Sequence, residues 1–344
     1  MKKLPKRGAT ILDIAMKLGL SAMTVSRALT GKSEVSAVTK QRVLRCASEL
    51  GYQPHRWARS LVTRRSSIVG VVIPEIAHSF FSEMTCGVEE IVDQAGYDIL
   101  LCHSRGNPEK EKEEINTLVG SMVAGLIVAS VQPENSPGPL IDLRRREIPF
   151  VLVDRYFPRH PFSSVRVDDR AVGRLATKCL IDLGHQRIAH IQGPALSPAT
   201  FRCRGYLETL KAAGIAIRKD WIIPGNFDFE SGGVAMRGLL ALKPRPTAVF
   251  AANDPMAVGA IFACREAGLR VPEDISIVGA GNIEGQNDPS PFLTTLDWPR
   301  EGLGRLAATL LLSAIDNPAR NSREVRVLKP RLLARQSTGP PASR

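Results

Sequence analysis

The chain has 344 residues, of which 44% are hydrophobic and 23% are charged, as in an ordinary globular protein. At about 150 residues per domain, this length predicts two or three domains. No apolar run reaches the roughly 18 residues that span a bilayer. Asp13 and Lys17 interrupt the apolar stretch behind the basic N-terminus, which argues against a signal peptide. A cytoplasmic protein with no membrane contact is expected.

The net charge of +12 is concentrated at the N-terminus. Residues 1–65 contain 14 Lys and Arg against three acids, whereas the rest of the chain has 32 bases and 31 acids. Such a basic segment typically meets phosphate backbones, and each neutralised phosphate releases counterions. The alternative is a solvated basic tail, but a disordered tail lacks the regular apolar spacing seen here.

Two short helices joined by a tight turn are predicted first. Thr10 and Asp13 resemble a capping box ahead of an amphipathic stretch over residues 11–18. This stretch stops at Gly19, which can adopt the left-handed turn conformation, and Ser21 caps a second helix. The small, glycine and β-branched positions of a helix-turn-helix fall on Ala15, Gly19 and Val25.

A third helix and a short hinge follow. Ser36 caps a helix that ends near Leu50, and its basic side chains either face phosphates or are solvated. Pro54 then suits the start of a helix over residues 56–62, which is too short to be stable unless it is paired or bound to DNA. Within it, Leu61 has the character of a minor-groove wedge, although a plain linker is the alternative.

From residue 68 onward, short apolar runs alternate with helical patterns. The predicted strands are 68–74, 97–103, 125–130, 149–154, 187–193, 248–253 and 275–280, and the clearest helices are 83–95, 108–122, 170–183 and 255–267. This repeated βα pattern predicts an α/β body of two doubly wound parallel-sheet lobes, with the first crossing between lobes inside residues 154–167.

A body of this class binds ligands at the carboxyl ends of its strands. Strand-end position selects Phe80, Phe81, Asp154, Arg155, Arg202, Phe227, Asn253 and Asp254. The alternatives are an N-cap for Asp254, a solvated helix residue for Arg202, and ordinary core positions for the three phenylalanines.

The segments TILDIAMKLGLSAMTVSRALTGKSEVSAVTKQRV and LGYQPHRWARSL resemble the DNA-binding head and hinge of the LacI/GalR family of bacterial repressors. HIQGP, RCRGY, NFDFESGG and AANDPMAVGAI resemble the family's effector-cleft segments. The resemblance covers nearly the whole chain and implies a periplasmic-binding-protein-like body. It also implies a homodimer that binds a near-palindromic double-stranded DNA operator.

The resemblance also implies two sets of site residues. The DNA-binding set is Thr10, Ser21, Ala22, Met23, Thr24, Ser26, Arg27, His55, Arg59 and Leu61. The effector-binding set is Phe80, Phe81, Asp154, Arg202, Phe227, Asp254 and Trp298. Three departures stand out: His55 replaces the usual Asn, Trp298 falls where Gln is frequent, and VGAGN (278–282) replaces VGFDD.

No enzyme is expected. GAGNIEG lacks the third glycine of a dinucleotide-binding loop, and no nucleophile elbow, phosphate loop or zinc motif occurs. The six cysteines form no CxxC pair, so no zinc site is expected. No cofactor is predicted either. A transport-type sugar-binding protein and a sugar-metabolising enzyme with a DNA-binding head are the alternatives.

The expected organisation has a DNA-binding head over residues 1–53 and a hinge over 54–66. An effector-binding and dimerisation body over 67–338 precedes a disordered tail over 339–344. The expected function is a transcriptional regulator whose operator affinity is controlled by a small molecule, of the sugar type.

Overall fold

Residues 9–29, 35–52, 66–283, 292–317 and 323–342 are described by a computed structural model of the chain. The chain separates into two units, Met1–Ser66 and Ser67–Arg344, and each is described by itself. The hinge candidates His55, Arg59 and Leu61 lie outside the described residues, so the predictions made for them stay predictions.

The N-terminal unit contains α1 (Ile11–Leu18), α2 (Ala22–Leu29) and α3 (Ala37–Glu49), which confirms the three predicted helices to within one or two residues. The capping box at the start of α1 is present, because Thr10 N donates to Asp13 Oδ2 at 2.7 Å and Asp13 N donates to Thr10 Oγ1. Gly19 ends α1 with φ 65°, the left-handed conformation predicted for it.

A small apolar core holds these helices together. Its buried members are Ile14, Ala15, Val25, Ala28, Val43, Cys46 and Ala47. Ala15 and Val25 therefore occupy the close-packing positions expected of a helix-turn-helix. Lys17 on α1 and Glu49 on α3 add an exposed ion pair of 2.9 Å across the bundle.

The body contains two six-stranded sheets, as the βα pattern predicts. The first sheet has the order β11-β5-β4-β3-β1-β2 and is parallel throughout. Its strands are β1 (Ile68–Ile73), β2 (Asp98–His103), β3 (Gly125–Val128), β4 (Phe150–Val153), β5 (Ser164–Val167) and β11 (Val325–Leu328).

The second sheet has the order β12-β10-β9-β8-β6-β7, and only the β10–β12 pair is antiparallel. Its strands are β6 (Ile188–Gln192), β7 (Ile222–Pro224), β8 (Ala248–Ala251), β9 (Ser276–Ala280), β10 (Thr294–Asp297) and β12 (Arg331–Leu333). The central strands of both sheets are buried, as parallel strands covered on two faces should be.

Helices cover the faces of the two sheets. They are α4 (Ser79–Gln94), α5 (Pro108–Gly120), α6 (Gly138–Arg145), α7 (Asp169–Asp182), α8 (Ser197–Ala212), α9 (Phe229–Ala241), α10 (Asp254–Glu266) and α11 (Arg300–Asp316). A short 3₁₀ helix spans Lys219–Trp221. No helix in the described part of the chain has both the length and the apolar character required to cross a membrane.

The chain passes between the two lobes three times. It leaves the first sheet after β5, returns to it through α11, and passes back between β11 and β12. The first crossing thus follows Val167 instead of lying within 154–167 as predicted. The reason is that residues 164–167 pair with β4 and complete the first sheet before the chain leaves it.

The C-terminal segment is also more ordered than predicted. Gly339 N donates to Ser276 Oγ at 3.1 Å, and Gly339 O lies 2.9 Å from His185 Nε2. The prediction of a disordered tail from residue 339 is therefore wrong at its start, because these bonds fix Gly339 against the second lobe.

Helix pairs pack closely wherever a glycine lies at their crossing. A Cβ on Gly173 of α7 would overlap the carbonyl oxygen of Arg202 on α8. Gly238 of α9 is also a helical glycine, but a Cβ added there would have open space around it. The first position tolerates no side chain, whereas the second does.

We therefore expect Gly173→Ala to destabilise the body by about 1–3 kcal/mol, since the helices must separate to admit a methyl group. Gly238→Ala should stabilise it by about 0.5–1 kcal/mol, because only the helix propensity changes. Urea unfolding of the two full-length variants measures both effects. Equal stabilities would show that the α7–α8 contact is looser than described.

Candidate functional site

A cavity of about 610 Å³ lies between the two sheets of the body, at the carboxyl ends of their strands. Residues from the loops after β1, β2, β3 and β4 line one wall, and residues from the loops after β6, β7, β8 and β9 line the other. This is the position at which doubly wound folds bind ligands. The cavity is therefore the candidate effector site.

Aromatic side chains form much of the wall of the first lobe. Phe80 and Phe81 lie in the first turn of α4, each 6% exposed, with their ring centroids 5.0 Å apart in an edge-to-face arrangement. His78 packs against both rings, and its burial lowers the pKa of its imidazole. Both predicted phenylalanines thus line the cavity.

Asp154 and Arg155 follow β4 and also line the first-lobe wall. Asp154 is 8% exposed, and its backbone has a left-handed φ of 64° at the cavity wall. Burial raises the pKa of its carboxyl group and lowers the pKa of the Arg155 guanidinium. The closest approach in this pair is 3.7 Å, between Asp154 Oδ2 and Arg155 Nε.

Arg202 of α8 joins several parts of the second-lobe wall. Its Nε and Nη2 each lie 2.9 Å from Asp169 Oδ1, and its Nη1 donates to the Ala252 carbonyl oxygen at 2.7 Å. Burial raises the pKa of Asp169 to about 7, with Arg202 opposing that shift and Asp154 adding to it. The guanidinium also lies 5.2 Å from the ring centroid of Trp298.

Phe227 is fixed at the cavity by its backbone. Its φ of 65° is left-handed, and Asn253 Nδ2 donates to its carbonyl oxygen at 2.8 Å. The ring lies so close to Gly193 that a Cβ there would overlap it. Phe227, Asn253 and Trp298 all line the cavity.

Asp254 is the predicted effector residue that the structure does not bring to the cavity wall. It is 1% exposed, its Oδ1 accepts from Thr295 Oγ1 at 2.6 Å, and its Oδ2 accepts from Ile283 N at 2.8 Å. The predicted ligand contact of Asp254 is therefore corrected to a structural role. The neighbouring Asn253, the N-cap of α10, lines the cavity instead.

The glycine at position 279 of VGAGN, which the family pattern VGFDD shares, makes room for this placement. A Cβ at Gly279 would overlap Asp254 Oδ1, so the carboxylate occupies space that a side chain at that position would take. Asn282 then links the loop to β10, since its Nδ2 donates to Asp297 Oδ1 at 3.2 Å and its Oδ1 accepts from Arg335 at 2.7 Å.

Two sets of contacts join the lobes beside the cavity. Tyr156 N, of the first lobe, donates to Ser197 Oγ of α8 at 3.0 Å, and the Tyr156 ring stacks on Phe201 with centroids 5.4 Å apart. Arg300 of α11 donates to Glu83 of α4 at 2.6 Å and to the carbonyl oxygen of Gly281 in the second lobe. A change in the angle between the lobes must alter both sets.

The second candidate surface is α2 in the N-terminal unit. Met23 and Arg27 are exposed and lie four residues apart, so they share one face of the helix. Ala22, Thr24 and Ser26 are half-buried beside them. Thr10 and Ser21 cap helices, since Thr10 accepts from Asp13 N and Ser21 Oγ accepts from Thr24 N at 3.0 Å.

Comparison with known proteins gives two family matches. Residues 10–55 match "Bacterial regulatory proteins, lacI family", and residues 177–338 match "Periplasmic binding protein-like domain". The HTH-type transcriptional repressor PurR of Photorhabdus laumondii is 39% identical over 332 residues, which is 96% of each chain. The ribose operon repressor of Haemophilus influenzae is 35% identical over 96% of this chain and 98% of its own length.

Solved structures match over the same extent. The lac repressor dimer bound to operator and the anti-inducer ONPF has a TM-score of 0.85 at 29% identity, covering 97% of this chain and all of its own. The transcriptional regulator CelR–cellobiose complex has a TM-score of 0.72 at 32% identity, covering 96% of this chain and 99% of its own.

The position of Asp254 gives a prediction about stability. Asp254→Ala leaves Ile283 N–H and Thr295 Oγ1 without their acceptor, so we expect the body to lose about 1–3 kcal/mol of unfolding free energy. Thr295→Val removes only one of these bonds and should cost less. Urea unfolding of both variants and the double variant gives their coupling energy. If the two substitutions lowered the free energy of unfolding additively, the hydrogen bond between Asp254 and Thr295 would be contradicted.

Proposed function

Because this chain belongs to the LacI family of bacterial regulatory proteins, we propose that it is a DNA-binding transcriptional repressor whose operator affinity is controlled by a small molecule bound in the interlobe cavity. The observation that carries the proposal is the presence, on one chain, of a basic helix-turn-helix unit and a body with a walled cavity. A transport-type binding protein needs only the second of these. We propose no enzyme activity and a cytoplasmic location.

The head is suited to reading duplex DNA. The second helix of a helix-turn-helix enters the major groove, where base edges carry a unique pattern of donors and acceptors. Arg27 can donate a fork to guanine O6 and N7, while Ala22 and Met23 offer apolar contact to a thymine methyl group. Thr24 and Ser26 then hold phosphates. The hinge candidates His55, Arg59 and Leu61 complete the proposed interface.

The cavity is suited to a polar ring compound, and we propose a sugar-type effector. Asp154 and Arg202 supply an acceptor and a cation, and Phe80, Phe81, Phe227 and Trp298 supply apolar and stacking surface. One solved relative is named as a complex with cellobiose, which fits this class. The ligand changes operator affinity only through its different affinities for two arrangements of the lobes.

We also propose a homodimer that pairs through α9 and α10. Phe229 and Phe262 lie on these neighbouring helices, 48% and 49% exposed, with ring centroids 5.3 Å apart. Val234 adds an exposed apolar side chain on α9. Two identical heads would then bind two half-sites of a near-palindromic operator.

Arg27→Ala tests the recognition helix. We expect it to cost about 1–3 kcal/mol of binding to the operator while sparing most nonspecific binding. Gel-shift titration on the upstream region of the gene and on scrambled DNA measures both affinities. Arg45→Ala on α3 is the charge-matched control, and it should weaken binding to both DNAs alike. If Arg27→Ala kept the wild-type preference for the operator over scrambled DNA, α2 would be excluded from the DNA interface.

Phe262→Glu tests the dimer face. An acid in the centre of an apolar contact should weaken self-association by about 2 kcal/mol or more, as seen by sedimentation velocity. Ile217→Glu is the control, because Ile217 is another exposed apolar residue of the second lobe, 43% exposed, outside α9 and α10. If Phe262→Glu remained as dimeric as the control, the face formed by α9 and α10 would be excluded as the dimer interface.

A further inference from the structure

Three buried nitrogen atoms of the cavity wall have no hydrogen-bond partner among the described residues; one is His78 Nδ1, whose role depends on its tautomer, and the other two are donors only. These two donors are Arg155 Nε and Trp298 Nε1, on side chains of residues that are 9% and 3% exposed. Both residues line the cavity. Buried donors in native proteins nearly always have a partner, because an unmade bond leaves the desolvation of the group uncompensated. A ligand with acceptor atoms would supply the missing partners.

The Arg155 side chain is held in place from behind. Its Nη1 donates to the Ser130 carbonyl oxygen at 3.2 Å. The loop that carries this carbonyl is fixed by Glu111 of α5, which is fully buried and accepts from Ser130 Oγ at 2.7 Å and from Val131 N. The guanidinium is therefore positioned before a ligand arrives, which lowers the entropic cost of binding.

The charge of Arg155 is less well matched than that of Arg202, the other buried arginine that lines the cavity. Arg202 has two nitrogens within 2.9 Å of Asp169. Arg155 has its closest carboxylate oxygen, on Asp154, 3.7 Å from Nε, beyond hydrogen-bond distance. A buried guanidinium favours a directly bonded anion, to which it can donate two parallel bonds.

We infer that the effector carries a carboxylate or phosphate group which binds Arg155, so that the ligand is an acidic sugar derivative in place of a neutral sugar. This inference rests on the proposed effector site and names its ligand class. In this inference, the acidic group of the ligand accepts a hydrogen bond from Arg155 Nε. The hydroxyl groups of the ligand face Asp154, and its ring faces the aromatic walls. Arg105, which also lines the cavity, adds positive charge, while Glu75 and Asp228 add negative charge.

The neighbouring Asp154 is compatible with a bound anion. Its burial already favours the neutral form by raising the pKa of the carboxyl group. A second anion beside Arg155 shifts this balance in the same direction. The raised pKa of Asp154 thus reduces its repulsion of an anion bound to Arg155.

The first test uses simple anions on the full-length chain. Thermal unfolding is measured in phosphate, acetate and chloride at matched ionic strength and pH. We expect phosphate or acetate to raise Tm above chloride, since a ligand of the native state stabilises it, and the larger shift identifies the acidic group. Arg155→Gln should lose this difference. Arg204→Gln, which removes an exposed arginine of α8 outside the cavity wall, should keep it.

The second test compares sugars with one skeleton. D-glucose, D-glucuronate and D-glucose 6-phosphate are titrated calorimetrically into the wild type, Arg155→Gln and Arg155→Lys. We expect an acidic member to bind more tightly than D-glucose, and Arg155→Gln to weaken it about thirtyfold or more. Arg155→Lys, which keeps the charge without the Nε donor, should retain part of the affinity.

The outcomes separate this inference from the proposed function. It is overturned if no acid anion or acidic sugar binds the wild type, if D-glucose binds as tightly as the acids, or if Arg155→Gln binds acids unchanged. A single cooperative thermal transition of Arg155→Gln in chloride shows that the variant is folded, and the loss of its acid response then supports the inference. If the wild type did not prefer operator DNA over scrambled DNA, the proposed function would be contradicted, whereas the result on anion binding would be unaffected.

Discussion

The buried ion pair between Arg202 and Asp169 is the interaction on which the geometry of the cavity depends. It joins α8 to the start of α7, and the remaining Nη1 of Arg202 holds the carbonyl of Ala252 at the end of β8. Removing one member of such a pair costs about 3–5 kcal/mol, because the other is left as an uncompensated buried charge. The close α7–α8 contact at Gly173 keeps the two partners in register. The second-lobe wall is therefore rigid before any ligand binds.

Rigidity within each lobe concentrates movement at the connections between the lobes. The three crossings of the chain are accompanied by the contacts that Tyr156 and Arg300 make between the lobes, which combine hydrogen bonds and an ion pair with one aromatic stack. Polar contacts of this kind exchange partners at modest cost, whereas close-packed cores do not deform continuously. A ligand that contacts both walls thus acts on the angle between two nearly rigid bodies.

Much of the fold follows from local pattern, and the exceptions have physical reasons. All seven strands predicted from short apolar runs are present. The seven predicted runs do not include β5, β7, β10, β11 and β12, which have three or four residues each; β7, β11 and β12 are also only partly buried, so their apolar periodicity is weak. Six of the seven effector candidates line the cavity; strand-end position selected five of them, and the family resemblance added Trp298.

Asp254 and Arg155 show where sequence reasoning stops. Asn253 and Asp254 are adjacent after β8, and only the space left by Gly279 and the hydroxyl of Thr295 decide which of the two turns away from the cavity. Arg155 was selected by position, but its role depends on Glu111 and Ser130, which come from other βα units. Contacts between residues that lie far apart in the sequence cannot be predicted from local propensity or periodicity. Capping and turn chemistry act over three or four residues, and Thr10, Gly19 and Ser21 are placed as predicted.

The distribution of charge separates the two tasks of the chain. Residues 1–65 carry an excess of 11 positive charges, while the rest of the chain is nearly neutral. In the body, the pair of Arg202 and Asp169 is buried and matched at short range, so added salt screens it little. The affinity of the head for phosphate backbones falls steeply with salt, because each contact releases counterions. Ionic strength therefore acts on DNA binding by the head much more strongly than on the buried ion pair of the second-lobe wall.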